Sequence, residues 1–448
     1  MINPDKHLSP INKIPDACLD LPGSKSIANR VLLLSAIADG ESIIHNVPDV
    51  SEDVSLMLQA LSVLGVKIIK LVPNKLALNQ NSSSYKIVGC KGQFPNKSAS
   101  IFCGNSGTTI RFLTAVIAVM SGEYILTGIE RMYERPIYDL VDSLRQIGAA
   151  VDYLHNDGFP PLSISKFRDN LVSAITISGQ SSSQYLTGLL IALPLLERDI
   201  IIKVSNKLIS KPYIDITLAL LEQYGCRVES QTDDNIQYHI FAPSSGSDGY
   251  SGVEYVIEPD ASSASYFLAM GAISGSVRIN NLSKNSLQGD KNFAQVLAQM
   301  GAKVVYADDY IQVGRRDGIG RPLSAININM QDMPDVAMTV AVLALFAEGV
   351  STISGIASWR VKETDRILAM HNELTKLGAR VNVTDDSITI VPPQQIIANV
   401  AIDTYNDHRM AMCFSLIAVY GVPVIIKNYQ CVSKTFANYF ELFEKICY

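Results

Sequence analysis

Lysine, arginine and carboxylate side chains occur together in several short polar segments of this chain. Segment 359–366 contains Lys362, Glu363 and Arg366, and segment 406–412 contains an Asp-His-Arg triplet. Two cations beside a carboxylate can hold two anionic groups and supply a proton donor. On an α-helix Lys362 and Arg366 would share one face, as positions i and i+4. Taken alone, segment 359–366 also fits a solvated face of salt bridges, whereas the triplet at the start of an apolar stretch suggests a cleft.

Other candidate residues lie in loops that combine glycine with hydroxyl or cationic side chains. Gly23 and Gly107 would let a ligand approach the backbone closely, and Lys25 adds a point charge next to Gly23. The Walker A pattern is absent, so the sequence does not support a nucleoside triphosphate site. Asp335 enters an apolar stretch, where a carboxylate is either a helix cap or a general base. A metal site has only one nearby histidine, His408, to support it.

Six short runs rich in Ser, Asn, Gly or Asp each lead into an apolar helical stretch. They begin at Ser24, Asn105, Ser181, Asp260, Asp335 and Asp407, which are 81, 76, 79, 75 and 72 residues apart. A capped helix N-terminus has free N–H groups and the positive end of the helix dipole, so it suits an anion. The runs therefore predict a site for a strongly anionic substrate, and their regular spacing predicts a duplicated unit.

A second repeat marks the ends of helices. Five helical stretches end in a glycine that Val or Ile follows within three residues: Gly65, Gly148, Gly225, Gly301 and Gly378. Glycine takes the left-handed conformation that ends a helix, and the β-branched residue then begins a strand. Each unit is predicted as strand, capped helix, strands, amphipathic helix and strand, with amphipathic helices over 137–147 and 436–446. Six units would form two groups of three, with the break in the turn-rich segment 243–252.

Length and composition restrict the class of protein. A chain of 448 residues predicts two domains. The net charge of −6 argues against a general nucleic-acid binder, although a local Lys/Arg cluster can still bind an anionic small molecule. The seven cysteines form no CxxC pair and are expected to be reduced thiols. Because the first ten residues are polar and the longest apolar run is too short to span a bilayer, we expect a cytoplasmic protein without membrane contact.

Nine motifs of this chain resemble those of the EPSP synthase family, which belongs to the enolpyruvyl transferases. In chain order they are LPGSKS, GNSGTTIRFLTAV, RPI, SKPYIDIT, DASSASYFLA, PDVAMT, WRVKETDRILAM, YNDHRMAMCFSL and SKTF. The resemblance implies an α/β fold, a two-domain inside-out α/β barrel with three βαββαβ units in each domain. It implies that domain I comprises residues 1–22 and 258–448, that domain II comprises residues 23–257, and that the active site lies in the cleft between them.

The same resemblance implies the reaction. The enolpyruvyl group of phosphoenolpyruvate would pass to the 5-hydroxyl of 3-phosphoshikimate, giving 5-enolpyruvylshikimate 3-phosphate and phosphate, as a step of aromatic amino-acid biosynthesis. Addition would precede elimination, through a tetrahedral intermediate and without a metal or other cofactor. We expect a monomer whose partners are these two small molecules, and sensitivity to glyphosate because Gly107 leaves room for it. The alternatives are a UDP-N-acetylglucosamine enolpyruvyl transferase and a non-catalytic anion-binding repeat scaffold.

Residue roles also follow from the resemblance, motif by motif. Asp335 would take the 5-hydroxyl proton with help from Lys362, Glu363 would protonate C3 of phosphoenolpyruvate, His408 would assist, and Lys25 would bridge both substrates. The residues matched to 3-phosphoshikimate are Lys25, Ser26, Arg30, Ser182, Ser183, Gln184, Ser210, Tyr213, Asp335, Ser358 and Lys362. Those matched to phosphoenolpyruvate are Lys25, Asn105, Gly107, Arg131, Gln184, Arg366, Arg409 and Lys434. The chain departs from the usual pattern at Ser106, Phe112, Pro259 and Ser358.

Overall fold

The computed structural model describes residues 4–11, 16–72, 82–180, 182–231, 236–242, 249–317 and 322–447. The chain divides into two compact units. Unit 1 consists of Met1–Pro22 with Glu258–Tyr448, and unit 2 consists of Gly23–Ile257. Part of segment 243–252, which the composition predicted as a break, lies outside the described residues.

Unit 2 contains three consecutive repeats, preceded in the chain by two short strands of unit 1, β1 (Lys6–Leu8) and β2 (Ala17–Leu19). The first repeat has α1 (Lys25–Ile37), β3 (Glu41–Val47), α2 (Glu52–Val63), β4 (Lys67–Lys70) and β5 (Ser83–Val88). The second has β6 (Ser98–Phe102), α3 (Gly107–Ala118), β7 (Glu123–Thr127), α4 (Tyr138–Gln146), β8 (Val151–Tyr153) and β9 (Leu162–Ile164). The third has β10 (Ala174–Ser178), α5 (Ser183–Ala192), β11 (Ile200–Ser205), α6 (Lys211–Gln223), β12 (Val228–Gln231) and β13 (Gln237–Ile240), and β14 (Glu254–Val256) follows it.

Unit 1 contains three further repeats. The first has α7 (Ala261–Ser274), β15 (Ser276–Asn280), α8 (Phe293–Gln299), β16 (Lys303–Tyr306) and β17 (Tyr310–Gly314). The second has β18 (Leu323–Ser324), β19 (Asn327–Asn329), α9 (Ala337–Leu343), β20 (Ala347–Glu348), β21 (Ser351–Ser354), α10 (Arg366–Lys376), β22 (Arg380–Val383) and β23 (Ser387–Val391). The third has β24 (Val400–Ile402), α11 (His408–Phe414), α12 (Leu416–Val419), β25 (Val424–Ile426) and α13 (Tyr439–Cys447).

Among the described residues, five four-stranded sheets share one topology. In the second repeat of unit 2 the strand order is β6-β7-β9-β8, and the third repeat gives β10-β11-β13-β12. The first two strands of each sheet are parallel across a helical connection, and the other pairs are antiparallel. The elements therefore follow one another as βαβαββ. This order differs from the βαββαβ order that the resemblance implied, because in these two repeats one strand rather than two separates the helices.

Strands from distant parts of the chain complete three of the sheets. β14, at the end of unit 2, pairs in parallel with β3 of the first repeat. β2, near the N-terminus, pairs in parallel with β15 of unit 1. β1 pairs antiparallel with β25 and completes the last sheet of the same unit. Both ends of the chain are thus needed to build unit 1.

Helix ends follow the predicted glycine pattern. Gly65, Gly148, Gly225, Gly301 and Gly378 all have left-handed backbones, with φ of 89, 98, 88, 96 and 95°. A strand begins within three residues of each of them. The prediction that these glycines end helices is confirmed, and the helix predicted over 137–147 is observed as α4.

Helix starts follow the prediction less closely. Side-chain caps are present at Ser106, Ser182, Asp260 and Asp407. Ser106 and Ser182 each lie one residue after the predicted helix start. Ser24 makes no side-chain cap bond, and Ser181 lies outside the described residues. The N-cap of α9 is Val336, so Asp335 is not a cap. The side chain of Asp335 is therefore available for other contacts.

The first helix of each repeat is more deeply buried than the second. Every residue of α3, α9 and α11 is buried, because most side chains of these helices are apolar or small; the exceptions are Arg111, His408 and Arg409. They pack against other buried helices, α3 against α5 in unit 2 and α9 against α7 and α11 in unit 1. α4 and α10, the second helices of their repeats, bury only one face. The first helices therefore form the helical core of each unit, and the second helices lie at its surface.

All seven cysteines are free thiols. In the part of the chain that the structure describes, we find no helix with the length and apolar character needed to cross a membrane.

Candidate active site

The carboxylate of Asp335 lies among cations in unit 1. It accepts hydrogen bonds from Arg366 Nη1 and Arg409 Nη2, each at 3.0 Å, and Lys362 Nζ lies 3.6 Å away. Burial by itself would raise the pKa of the Asp335 carboxyl, but Arg409, Lys362 and Arg366 hold this pKa well below its usual range. Asp335 is therefore ionised in this structure.

Arg366 connects three carboxylates of the same unit. Its Nε donates to Asp407 Oδ2 at 2.7 Å, its Nη2 donates to Glu363 Oε2 at 2.8 Å, and its Nη1 donates to Asp335. The Arg366 side chain is 1% exposed, and these carboxylates compensate for the burial of its charge. Asp407 was not among the predicted site residues. The sequence marked it as a helix start and as part of the Asp-His-Arg triplet, and it does cap α11 by accepting from Arg409 N at 2.9 Å.

Lys362 and Arg366 approach the central carboxylate from a bend in the chain. Lys362 follows the 3₁₀ helix Ala357–Val361, and Arg366 is the first residue of α10. The prediction that they share one helical face is therefore wrong, although both reach the same carboxylate. Trp359 anchors the bend, because its fully buried indole donates from Nε1 to Pro334 O at 2.7 Å.

His408 and Lys434 extend the cluster. His408 is buried, and neither ring nitrogen has a hydrogen-bond partner among the described residues. Burial and the charge of Arg409 hold the pKa of this imidazole well below its usual value, so the ring is neutral. Lys434 Nζ lies 4.0 Å from Glu363 Oε1. The structure thus places these predicted site residues close to one another in unit 1, and only the structure gives the charge of the histidine.

One further buried carboxyl group interacts with this cluster. Asp290, in the 3₁₀ helix Gly289–Asn292, accepts a hydrogen bond from Ser262 Oγ. Burial and the negative charge of Asp335 raise the pKa of the Asp290 carboxyl to about 7. The group therefore changes its protonation near neutral pH. No motif in the sequence marked Asp290, because its shifted pKa arises from residues distant in the chain.

In unit 2, Lys25 is paired with a buried carboxylate. Lys25 Nζ lies 3.0 Å from Asp53 Oδ2. Lys25 is the first residue of α1, and Asp53 lies in the first turn of α2. The sequence predicted Lys25 as a site residue and missed Asp53, because an acidic residue in the first turn of a helix is common.

Arg30 is buried among neutral acceptors in the same unit. Its Nε donates to Thr217 Oγ1 at 2.9 Å, its Nη1 to Ser26 O at 2.8 Å and its Nη2 to Tyr213 O at 3.1 Å. The ring of Phe112 lies 5.1 Å from Arg30 Cζ. Among the described residues no carboxylate forms an ion pair with Arg30, and burial lowers the pKa of its guanidinium to about 10. The predicted residues Ser26, Arg30 and Tyr213 thus lie together.

Gly107 begins α3 beside several polar side chains. Arg135 Nη1 donates to Asn105 Oδ1 at 3.0 Å, and Arg111 Nη1 donates to Gln184 Oε1 at 2.6 Å. A Cβ atom on Gly107 would lie 2.9 Å from Arg135 Nη2, 3.1 Å from Gln184 Oε1 and 3.2 Å from Arg111 Nη1. Only glycine leaves this space open. Asn105, Gly107 and Gln184 were predicted site residues, whereas Arg111 and Arg135 were missed.

The remaining predicted residues of unit 2 lie at helix starts and on a turn. Ser182 caps α5, and Ser183 is its first residue. Ser210 is the N-cap of α6, with a left-handed φ of 54°. The partly exposed Arg131 pairs with Glu134 on the 3₁₀ helix that precedes α4. In the described part of both units, no group of His, Cys, Asp and Glu side chains has the arrangement of a metal site.

The structure describes the surroundings of all four departures from the family pattern. Phe112 lies against Arg30, as described above. Ser106 Oγ accepts from Thr109 N at 3.4 Å, a capping bond that alanine cannot make. The carbonyl of Pro259 accepts from Gln288 Nε2 at 2.7 Å. Ser358 lies half-buried in the 3₁₀ helix that precedes Lys362.

Comparison with solved structures places the fold among the enolpyruvyl transferases. The structure of EPSP synthase from Acinetobacter baumannii matches with a TM-score of 0.77 and 24% identity, covering 99% of this chain and 98% of that chain. The enolpyruvyl transferase NikO from Streptomyces tendae matches with a TM-score of 0.74 and 15% identity, covering 98% and 96%. The predicted two-domain inside-out α/β fold class is confirmed.

Sequence comparison identifies the family. Residues 11–443 match the model of EPSP synthase (3-phosphoshikimate 1-carboxyvinyltransferase), and the chain belongs to this family. A protein of Paraburkholderia phymatum named 3-phosphoshikimate 1-carboxyvinyltransferase is 48% identical over 430 residues, 94% of this chain and 95% of that protein. A protein of Cupriavidus necator with the same name is 49% identical over 429 residues, with the same shares covered. The family predicted from the motifs is confirmed.

Proposed function

We propose that this protein transfers the enolpyruvyl group of phosphoenolpyruvate to the 5-hydroxyl of 3-phosphoshikimate and releases phosphate. Membership of the EPSP synthase family supports this reaction. In the structure, the proposal rests on the convergence of Lys362, Arg366 and Arg409 on Asp335, since these residues come from separate segments of the chain. Two anionic substrates react only where fixed positive charge offsets their repulsion.

Asp335 is the proposed base for the 5-hydroxyl proton. Without substrates its cations keep the pKa of the carboxyl low, which makes it a poor base. An anionic substrate that binds Arg366 and Arg409 neutralises part of their charge, so the pKa of Asp335 rises and its basicity increases. Burial lowers the pKa of Lys362, and a lysine with a lowered pKa is suited to transfer the hydroxyl proton onward.

Glu363 is the proposed acid that protonates C3 of phosphoenolpyruvate. Its carboxylate is held by Arg366 and faces Lys434, the two cations proposed to bind the same substrate. His408 is proposed to assist as a neutral hydrogen-bonding group rather than as a cation, because burial keeps its imidazole uncharged. Protonation at C3 leaves positive charge at C2, which the hydroxyl attacks as Asp335 takes its proton. Loss of phosphate from C2 and return of a C3 proton to Glu363 then restore the double bond.

Binding of the substrates is assigned to both units. We assign phosphoenolpyruvate to Arg366, Arg409 and Lys434 in unit 1 and, in unit 2, to Lys25, Asn105, Gly107, Arg131 and Gln184. Contacts around Gly107 lead us to add Arg111 and Arg135 to this group. We assign 3-phosphoshikimate to Lys25, Ser26, Arg30, Ser182, Ser183, Gln184, Ser210, Tyr213, Asp335, Ser358 and Lys362. The buried charge of Arg30, which no described carboxylate pairs, suits the carboxylate or phosphate of this substrate.

For the protein as a whole, we propose that domain I (1–22 and 258–448) and domain II (23–257) both contribute groups to the reaction. The protein is proposed to be a cytoplasmic monomer that acts on these two small molecules and binds neither nucleic acid nor membrane. The proposed chemistry needs only acid, base and electrostatic groups, so we propose that it requires no metal or organic cofactor.

We also propose that glyphosate inhibits the enzyme. Gly107 has no side chain, and the cationic ends of Arg111 and Arg135 lie beside it, which suits the close approach of an anionic inhibitor. Inhibition should be competitive with phosphoenolpyruvate. An unchanged rate at millimolar glyphosate would contradict this proposal.

The reaction is tested by phosphate release from the purified protein. Phosphate should appear only when 3-phosphoshikimate and phosphoenolpyruvate are both present, with each omitted in turn as the control. Replacing 3-phosphoshikimate with UDP-N-acetylglucosamine tests the rival transferase, which the names of the relatives do not favour. Release with the nucleotide sugar, or no release by folded protein with any pair of substrates, would refute the proposal.

A further inference from the structure

Two consecutive residues next to the active-site cluster have backbones that side chains rarely adopt. Tyr405 has φ of 52° and Asn406 has φ of 55°, both in the left-handed region. Asparagine tolerates this conformation, but it is unfavourable for a bulky residue such as tyrosine. Asp407 follows directly and binds Arg366 through both carboxylate oxygens. An unfavourable conformation at this place persists only if the surrounding contacts enforce it.

A buried glutamate provides such contacts. The side chain of Glu373 is 0% exposed, and its Oε1 accepts from Tyr405 Oη at 2.7 Å. Its Oε2 accepts from Asp403 N at 3.1 Å, and Lys376 Nζ donates to the same oxygen at 2.8 Å. Lys376 also reaches the Asp403 carboxylate at 2.7 Å. The carboxylate of Glu373 therefore holds the chain on the N-terminal side of the left-handed pair.

One helix holds the segment at both ends. Glu373 and Arg366 are both residues of α10, seven positions or about two turns apart, and so lie on the same side of the helix. Glu373 binds the segment at Asp403 and Tyr405, and Arg366 binds it at Asp407. The turn lies between these points and ends at Asp407. His408 and Arg409 follow directly and belong to the cluster around Asp335.

We propose that Tyr405 and Glu373 are positioning residues for the binding of phosphoenolpyruvate. They hold the left-handed turn that sets Asp407 against Arg366 and thereby fix Arg366 and Arg409 relative to each other. Neither residue is assigned a contact with substrate. The inference deepens the proposed function and rests on its assignment of Arg366 and Arg409 to phosphoenolpyruvate.

The substitution Tyr405→Phe tests the hydroxyl bond. Phenylalanine keeps the ring but has no donor for Glu373, so the unfavourable backbone at position 405 is free to relax. Because Asp407 then shifts relative to Arg366, KM for phosphoenolpyruvate should rise at least fivefold, with KM for 3-phosphoshikimate changed less than twofold. Tyr405 is 39% exposed, so this change opens no cavity in the core.

A second variant separates positioning from simple stabilisation. Tyr405→Asn also loses the hydroxyl bond, and it loses the ring as well, but asparagine adopts the left-handed conformation readily. It should therefore bring KM for phosphoenolpyruvate to within about twofold of the wild-type value. If the hydroxyl bond only stabilised the fold, the asparagine variant would be at least as impaired as the phenylalanine variant.

The matched control is Tyr124→Phe, which removes a tyrosine hydroxyl bond to Asn96 O in unit 2 and should leave both KM values unchanged. Wild-type protein is assayed in parallel, so failure of the proposed reaction shows as absent wild-type turnover. With an active wild type, an unchanged KM in Tyr405→Phe overturns the inference. Equal increases in the phenylalanine and asparagine variants overturn it as well.

Discussion

The negatively charged carboxylate of Asp335 forms ion pairs with three cations, Lys362, Arg366 and Arg409. Asp335→Asn removes this charge and the proposed base, so kcat should fall by roughly 10²–10⁴-fold, the range for loss of a general base. Phosphate release at saturating substrates measures the change. Asp332→Asn, an exposed position three residues earlier, is the control. A rate within a few fold of the wild type in Asp335→Asn would exclude the assigned role.

Gly107 is tested by adding one methyl group. In Gly107→Ala the new Cβ lies within 3.2 Å of the ends of three long side chains, Arg135, Gln184 and Arg111. These ends can shift, so we expect a change in stability of less than about 1 kcal/mol. KM for phosphoenolpyruvate should rise about tenfold, equivalent to about 1.4 kcal/mol of lost binding, and inhibition by glyphosate should weaken. Steady-state kinetics measures both effects.

The control for this prediction is Gly314→Ala on β17, where an added Cβ meets its nearest atom at 3.5 Å, an ordinary contact. Both kinetic constants should be unchanged in that variant. An unchanged KM for phosphoenolpyruvate in Gly107→Ala would remove Gly107 from the assigned site.

At the scale of elements, the start of α7 holds the buried carboxyl of Asp290. Ser262 Oγ donates to this group, and Asp335, Asp260 and Arg409 act on it electrostatically. Its folded pKa of about 7 exceeds the value of about 3.9 for an unfolded aspartate. The stabilising contribution of its protonation is complete below the unfolded pKa and is lost as the pH rises through 7.

Asp290→Asn removes this pH dependence. Between pH 5 and pH 8 the free energy of unfolding of the variant should rise relative to the wild type by about 2–3 kcal/mol, from 1.36 kcal/mol per pKa unit. Urea denaturation at the two pH values measures the difference. The exposed variant Asp332→Asn should show no such change. A difference that is the same at both pH values would show that Asp290 does not titrate in this range.

At the scale of the whole molecule, unit 2 is one continuous segment of chain, whereas unit 1 is assembled from both ends. β14 pairs with β3, and Asn46 Nδ2 donates to Ile257 O at 2.7 Å just beyond that strand. The fragment 23–257 should therefore fold alone with one cooperative thermal transition. The fragment 23–250 lacks β14 and should melt several degrees lower. Equal melting temperatures, or an unfolded longer fragment, would contradict this account of the unit.

Features that depend on local conformation followed directly from the sequence. The five glycines end helices because a left-handed residue is needed at that position, and glycine adopts it at the lowest cost. The apolar stretches predicted to be helical are observed as α3, α9 and α11, among others, and these three helices are buried. The sequence motifs were specific enough to indicate the family. The division into domains and the roles of the site residues stay predictions.

Only the tertiary structure determined how the charged residues pair. Arg366 binds Asp407 across 41 positions of the chain, and Arg135 contacts Asn105 across 30. The pKa of about 7 for Asp290 also arises from burial and distant charges. Local conformational preferences do not determine these contacts. The contacts depend on which helix N-termini are brought together by the packed core. For the same reason Asp53 had no signal in the sequence beyond its charge, and Arg111 and Arg135 lay within motifs but were not assigned to the site. The strands β14 and β2 likewise gave no sign of their distant partners.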